Sequence, residues 1–220
     1  MGLDWRPLGK PKPACKERFD QLFRILNGSE PIPVIPGTKK RYSREALKEE
    51  WFAIQIPSYE TIKAPMVGRD PEADEWVKAQ YEESDKSDSL EFWYQHYKGY
   101  YVIELAKETD GVPVYVSEIQ DENVFRGKFL TTFCKELIGK ELYEAAWETH
   151  LADSTLQYGE RLLEVADQLA AKHDLLYLRE QYLPPDIEVG SLPSQVHILY
   201  AAARWLIFYG RNGHGFEADE

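Results

Sequence analysis

Cysteine is scarce in this chain: it occurs twice, as Cys15 and Cys134, with no Cys-x-x-Cys spacing. That excludes a disulfide framework and a zinc knuckle, and it fits a reducing, cytoplasmic setting. Long apolar runs are missing too, since no stretch reaches the roughly 18 uncharged apolar residues of a membrane span. The opening MGLDWRPLGK has no apolar signal-peptide core, so a soluble chain with no membrane partner is expected. Gly2 does not complete a myristoylation pattern, because Arg6 stands where Ser or Thr is required. Catalytic signatures are equally absent. There is no Gly-x-Ser-x-Gly elbow, no His-Glu-x-x-His helix and no Gly-Lys-Ser/Thr ending to a glycine-rich loop, and no cofactor is expected.

Positive charge is also in deficit. Against 38 Asp and Glu stand 26 Lys and Arg, a formal net charge of -12, which argues against direct binding of nucleic acid because a polyanion needs a concentrated basic face. The imbalance is uneven. Residues 1–50 carry 11 basic and 7 acidic side chains, whereas 70–91, DPEADEWVKAQYEESDKSDSLE, carries nine acids and two lysines. Such a run is either a solvated helix surface or a face that attracts a basic partner and speeds the encounter.

What the chain has in quantity is rings: 6 Trp, 14 Tyr and 9 Phe, whose default use is core packing. The hydrophobic period is mostly helical. Cys15, Phe19, Leu22, Phe23 and Leu26 make a stripe ended by Asn27-Gly28 as C-cap. The prolines of SEPIPVIPG predict an extended crossing packed through Val34 and Ile35. Ser43 caps a second helix; Asp70-Pro71 is an N-cap and N1 pair for a third; Asp88 and Glu91 have capping-box spacing for a fourth. Gly139 interrupts the helical period after Phe125, Asp153 caps a long helix, and Pro193 opens a last one that is apolar nearly all round. The period turns to two only at 100–106 and 112–117, which predicts a β-hairpin with Gly111 in its turn and Pro113 on an edge strand. The expectation is a mainly α (α+β) fold: an irregular arm over 1–13, then one globular domain over 14–220 with about seven helices and a small β-hairpin near 100–117.

Three groups of residues invite a functional reading. In WYQHYKGYY, Trp93, His96, Tyr97 and Tyr100 have the aromatic wall and polar tip of a ligand pocket, and Arg126 beside Gly127 suits a carboxylate or phosphate. The closing GRNGHGF adds His214 between glycines. These glycines follow a helix instead of preceding one, the reverse of a phosphate loop, so Gly210 reads as a helix C-cap. His150, Asp153 and His173 combine imidazole and carboxylate as a divalent metal site would, but among 38 acids a carboxylate close to a histidine is commonplace, and no metal is expected. Cys134 on an apolar helix face reads as a small hydrophobe, not a thiolate nucleophile.

The reading that results is a non-catalytic, cytoplasmic interaction protein of the inhibitor or immunity type. It presents Glu82, Glu83, Asp85 and Asp88 to a basic protein partner. The competing class is a small-molecule enzyme, metal-dependent or not, with an aromatic-lined cleft and His150, Asp153 or His96 in acid–base roles.

Overall fold

The structure is a computed structural model that describes residues 2–106, 116–117 and 123–219, the side chains of 116–117 excepted. Its contacts divide the chain into two compact units, Gly9–Pro57 and Met1–Leu8 with Ser58–Glu220.

The smaller unit is a helix pair closed by a two-stranded sheet. Helix α1 (Lys16–Leu26) buries Phe19, Leu22 and Ile25, and α2 (Arg44–Ala53) buries Leu47 and Trp51. Phe19 stacks on Trp51 with centroids 5.3 Å apart, and Arg18 grips Glu50 through two 2.7 Å hydrogen bonds. Ser43 caps α2 as expected, its hydroxyl accepting from the Ala46 amide at 3.1 Å. Strands β2 (Lys10–Pro11) and β3 (Gln55–Ile56) tie the ends of the unit together. The proline segment departs from expectation: Val34 is half exposed and pairs in an isolated bridge with Arg41, so the crossing is a short turnback and not a strap pressed into a core.

In the larger unit, residues 4–7 are the main departure from the expected irregular arm. They form strand β1 (Asp4–Pro7), between β5 (Val124–Phe125) and β6 (Phe216–Asp219), with β4 (Val116–Ser117) beyond β5. All three pairings are antiparallel. Trp5 supplies the reason. Its indole is fully buried, donates to the Ala146 carbonyl at 2.8 Å, and lies 5.1 Å from the rings of Phe125 and Phe216. An aromatic this large is enough to hold a short terminal segment in the sheet.

The small antiparallel sheet is therefore present, but the run 100–106 is not one of its strands. Tyr101 makes one isolated bridge to Met66, and Ile103–Leu105 is a 3-10 turn. Residues 107–115, including the expected turn at Gly111 and Pro113, lie outside the described residues.

Helices build the rest, and the described residues hold nine α-helices in all. They include a single turn, α3 (Ser58–Thr61), then α4 (Pro71–Glu83), α5 (Leu90–Tyr97), α6 (Lys128–Phe133) and α7 (Lys135–Ala145), which kinks at Gly139 with φ 72°. The two longest, α8 (Ala152–Lys172) and α9 (Leu192–Arg211), form the spine. As the apolar circumference of α9 predicts, it is the central element, with Ala203, Trp205 and Leu206 fully buried. The pair packs closely because glycine faces backbone on each side. A Cβ on Gly159 would lie 2.8 Å from Leu206 Cβ, and one on Gly210 would lie 2.7 Å from the Leu156 amide nitrogen. Gly210 is thus an interhelical contact and not the C-cap, which is Asn212 followed by Gly213 at φ +84°. No described helix is long and apolar enough to cross a membrane.

Candidate functional site

The acidic run occupies α4, the connection after it and the start of α5. Helix α4 buries only Ala73 and Val77, which leaves Glu72, Glu75, Glu82 and Glu83 on the exposed side. Asp70 stands at its N-cap, but its carboxylate accepts from the Met66 amide and from Arg69, both at 2.8 Å. The cap of α5 is Ser89, one residue beyond the expected Asp88, with its hydroxyl accepting from the Phe92 amide at 3.2 Å. Asp85 and Asp88 are consequently left to solvent on the connection. Asp85 accepts from the Ser87 amide at 3.1 Å, which lowers its pKa, and Glu82 pairs with Lys86 at 2.6 Å with the same effect. Among the described residues that is the one ion pair formed by Glu82, Glu83, Asp85 or Asp88.

The aromatic group divides over α5 and the residues just after it. Trp93, Tyr97 and Tyr100 turn inward around Trp76, with Tyr97 edge-on at 5.6 Å and Tyr100 stacked at 5.9 Å, over Val67, Ala73, Val77 and Val102. Tyr94 donates to the Asp74 carbonyl at 2.8 Å and fastens α5 to α4. His96 remains outside, edge-on to Tyr97 at 4.9 Å and stacked with Phe92, which is 54% exposed. Trp93, His96 and Tyr97 thus lie on α5, with Tyr100 just beyond its end, and His96 stays outside the cluster that the other three join. Arg126 and His214 take other partners: Arg126 binds Asp4 at 2.9 Å beside strand β1, and His214 enters the main core.

The C-terminal glycines have structural explanations. His214 is fully buried, its Nδ1 2.8 Å from the Leu8 carbonyl and its Nε2 2.7 Å from the Thr61 hydroxyl. A carbonyl only accepts, so Nδ1 carries the proton and Nε2 receives the hydroxyl. Gly215 passes so close to His150 that a Cβ there would lie 2.0 Å from the His150 carbonyl oxygen.

The remaining histidines are dispersed. His150 donates from Nε2 to the Ala145 carbonyl at 2.9 Å and stacks against both Phe216 and Tyr158, at 4.9 and 5.6 Å. Burial lowers its pKa. His173 is the C-cap of α8 while Asp153 lies in the first turn, so about 30 Å of helix separates them at 1.5 Å per residue. No three His, Cys, Asp or Glu side chains among the described residues are grouped to hold a metal ion. His197, which no sequence feature singles out, is fully buried on α9, donates to the Gln181 carbonyl at 3.0 Å and has its pKa lowered by burial. Cys134 is also fully buried, and burial pushes its thiol up to about 12. A further cluster carries no sequence signature: Tyr101 and Arg69 both donate to Glu60 at 2.6 Å, and the Tyr101 hydroxyl is the main reason the Glu60 pKa is lowered.

Comparison with known protein families, curated proteins and solved structures finds no match.

Proposed function

We propose that this chain is a non-catalytic interaction protein, inhibitor- or immunity-like, whose docking face is the connection between α4 and α5 and whose partner is a basic protein. One observation carries the reading: Glu82 and Glu83 at the end of α4 and Asp85 and Asp88 on the connection are all exposed, shortly before the exposed ring of Phe92 on α5. Exposed carboxylates, of which Glu82 alone is ion-paired among the described residues, raise the local concentration of a cationic partner and its association rate. An exposed aromatic within such a rim is the usual anchor of a protein interface. The inward packing of Trp93, Tyr97 and Tyr100 supports the same reading, because it makes the acidic connection a fixed surface on a small aromatic core. His197 and His214 each hold a backbone carbonyl.

The test is affinity capture by the wild type and by a Glu82→Lys, Glu83→Lys, Asp85→Lys variant, at low and at physiological salt. The wild type should recover a partner of high isoelectric point, more of it at low salt, and the variant should lose it. Retention of every partner by the variant, or recovery of none by the wild type at either salt, overturns the reading.

A further inference from the structure

A second site lies on the larger unit, where α7 gives way to α8. A cavity of about 320 Å³ opens there, at the lower end of the range of about 300–1,000 Å³ typical of small-molecule pockets. Glu141 and Glu144 reach it from the end of α7, Glu148 and His150 from the connection, and Tyr158 and Arg161 from α8. We propose that this cavity binds a small organic cation bearing a guanidinium or ammonium group.

The charge balance is the first argument. Three carboxylates face one guanidinium, and Arg161 is already engaged with Glu141 at 2.7 Å. Glu144 has only a loose 3.6 Å approach from Lys140, whose side chain is 85% exposed, and Glu148 has no ion pair among the described residues. Two carboxylates are therefore open to a ligand, and an anion entering the cavity meets net repulsion.

His150 is the second and independent argument. Its Nε2 faces the Ala145 carbonyl, which can only accept, so the proton is on Nε2 and the lone pair is on Nδ1. No described group donates to Nδ1. The ring packs against both Phe216 and Tyr158, which with the bond to the Ala145 carbonyl holds the acceptor in place. Burial keeps the imidazole neutral at neutral pH, and the negative charge of Glu148 acts on the same ring. A fixed neutral acceptor next to open carboxylates matches a group that has several N–H donors and positive charge but no acceptor. Guanidinium and ammonium fit that description, and guanidinium in addition pairs with a carboxylate through two parallel bonds.

The full chain is titrated with agmatine by calorimetry, with n-butylurea as neutral and glutarate as anionic control, while the nitrogen resonances of His150 are followed by NMR. Agmatine should bind and shift His150 Nδ1, and neither control should. Glu148→Gln, a change at an exposed position, should weaken binding about tenfold, the loss of one charge-assisted pair. The Glu82→Lys, Glu83→Lys, Asp85→Lys variant should bind agmatine as the wild type does, which separates this site from the α4–α5 face. The proposal is overturned if agmatine does not bind, if Glu148→Gln binds it equally well, if butylurea or glutarate competes, or if His150 Nδ1 does not move.

Discussion

Replacing Gly215 by alanine tests how the end of the chain is held. The new Cβ would lie 2.0 Å from the His150 carbonyl oxygen and 2.9 Å from Leu151 Cα, both backbone atoms that no rotamer change can move aside. Neither segment retreats freely. The His150 amide donates to the Phe216 carbonyl and the Phe216 amide to the His150 carbonyl, both at 2.9 Å, and β6 is paired along its length with β1. Overpacking alone costs about 1–3 kcal/mol, and the loss of one or both hydrogen bonds adds about 1 kcal/mol each. The expected total is about 2–5 kcal/mol, which at a urea dependence of about 2 kcal/mol per molar lowers the unfolding midpoint by about 1–2.5 M. Tryptophan fluorescence reports it directly, because Trp5 and Trp205 are fully buried in the same core as Phe216. An unchanged midpoint would mean that the segment after Gly213 is not docked against His150, and the structural account of the glycines would fail.

Leu206→Ala should destabilise by about 2–5 kcal/mol in the same assay, since the side chain is fully buried against α8; a peripheral helix would show almost no change. His150 and His197 have folded pKa values below the ordinary value, so the unfolded chain binds more protons as the pH drops. Their stabilisation is fully present above about pH 6.5 and is lost as pH falls through the folded values. Unfolding midpoints should decline over that window, and His197→Gln should flatten the decline if the account holds. Cys134 should resist a thiol reagent in the native state while Cys15, partly exposed, reacts; equal rates for the two would contradict the burial of Cys134.

Elements governed by local period were legible in the sequence. The stripe of α1, the kink at Gly139 and the apolar circumference of α9 depend on neighbours within a few turns, and the structure has all three. Features set by distant partners were not. Trp5 pairs with Phe125 and Ala218, separations that no window around Asp4–Pro7 contains, so a true strand read as an arm. Gly210 reads as a C-cap in sequence because it falls one residue before the helix ends; its reason for being glycine is Leu156, on another helix. The same limit applies to the sites. The acidic connection is contiguous in sequence and was visible as composition, whereas the cavity beside His150 is assembled from the ends of α7 and α8. That Nδ1 of His150 is the ring nitrogen with the lone pair follows only from knowing that Nε2 faces the Ala145 carbonyl.

If the carboxylates at the end of α4 and on the connection to α5 steer a basic partner, the association rate constant with the captured partner, measured across ionic strength, shows it most directly. For the wild type the rate should fall as salt shortens the Debye length from about 30 Å at 0.01 M to about 8 Å at 0.15 M, with dissociation changing less. The Glu82→Lys, Glu83→Lys, Asp85→Lys variant should associate more slowly at low salt and lose most of that dependence. A wild-type rate indifferent to salt, or a variant that associates as fast as the wild type at low salt, would contradict the account.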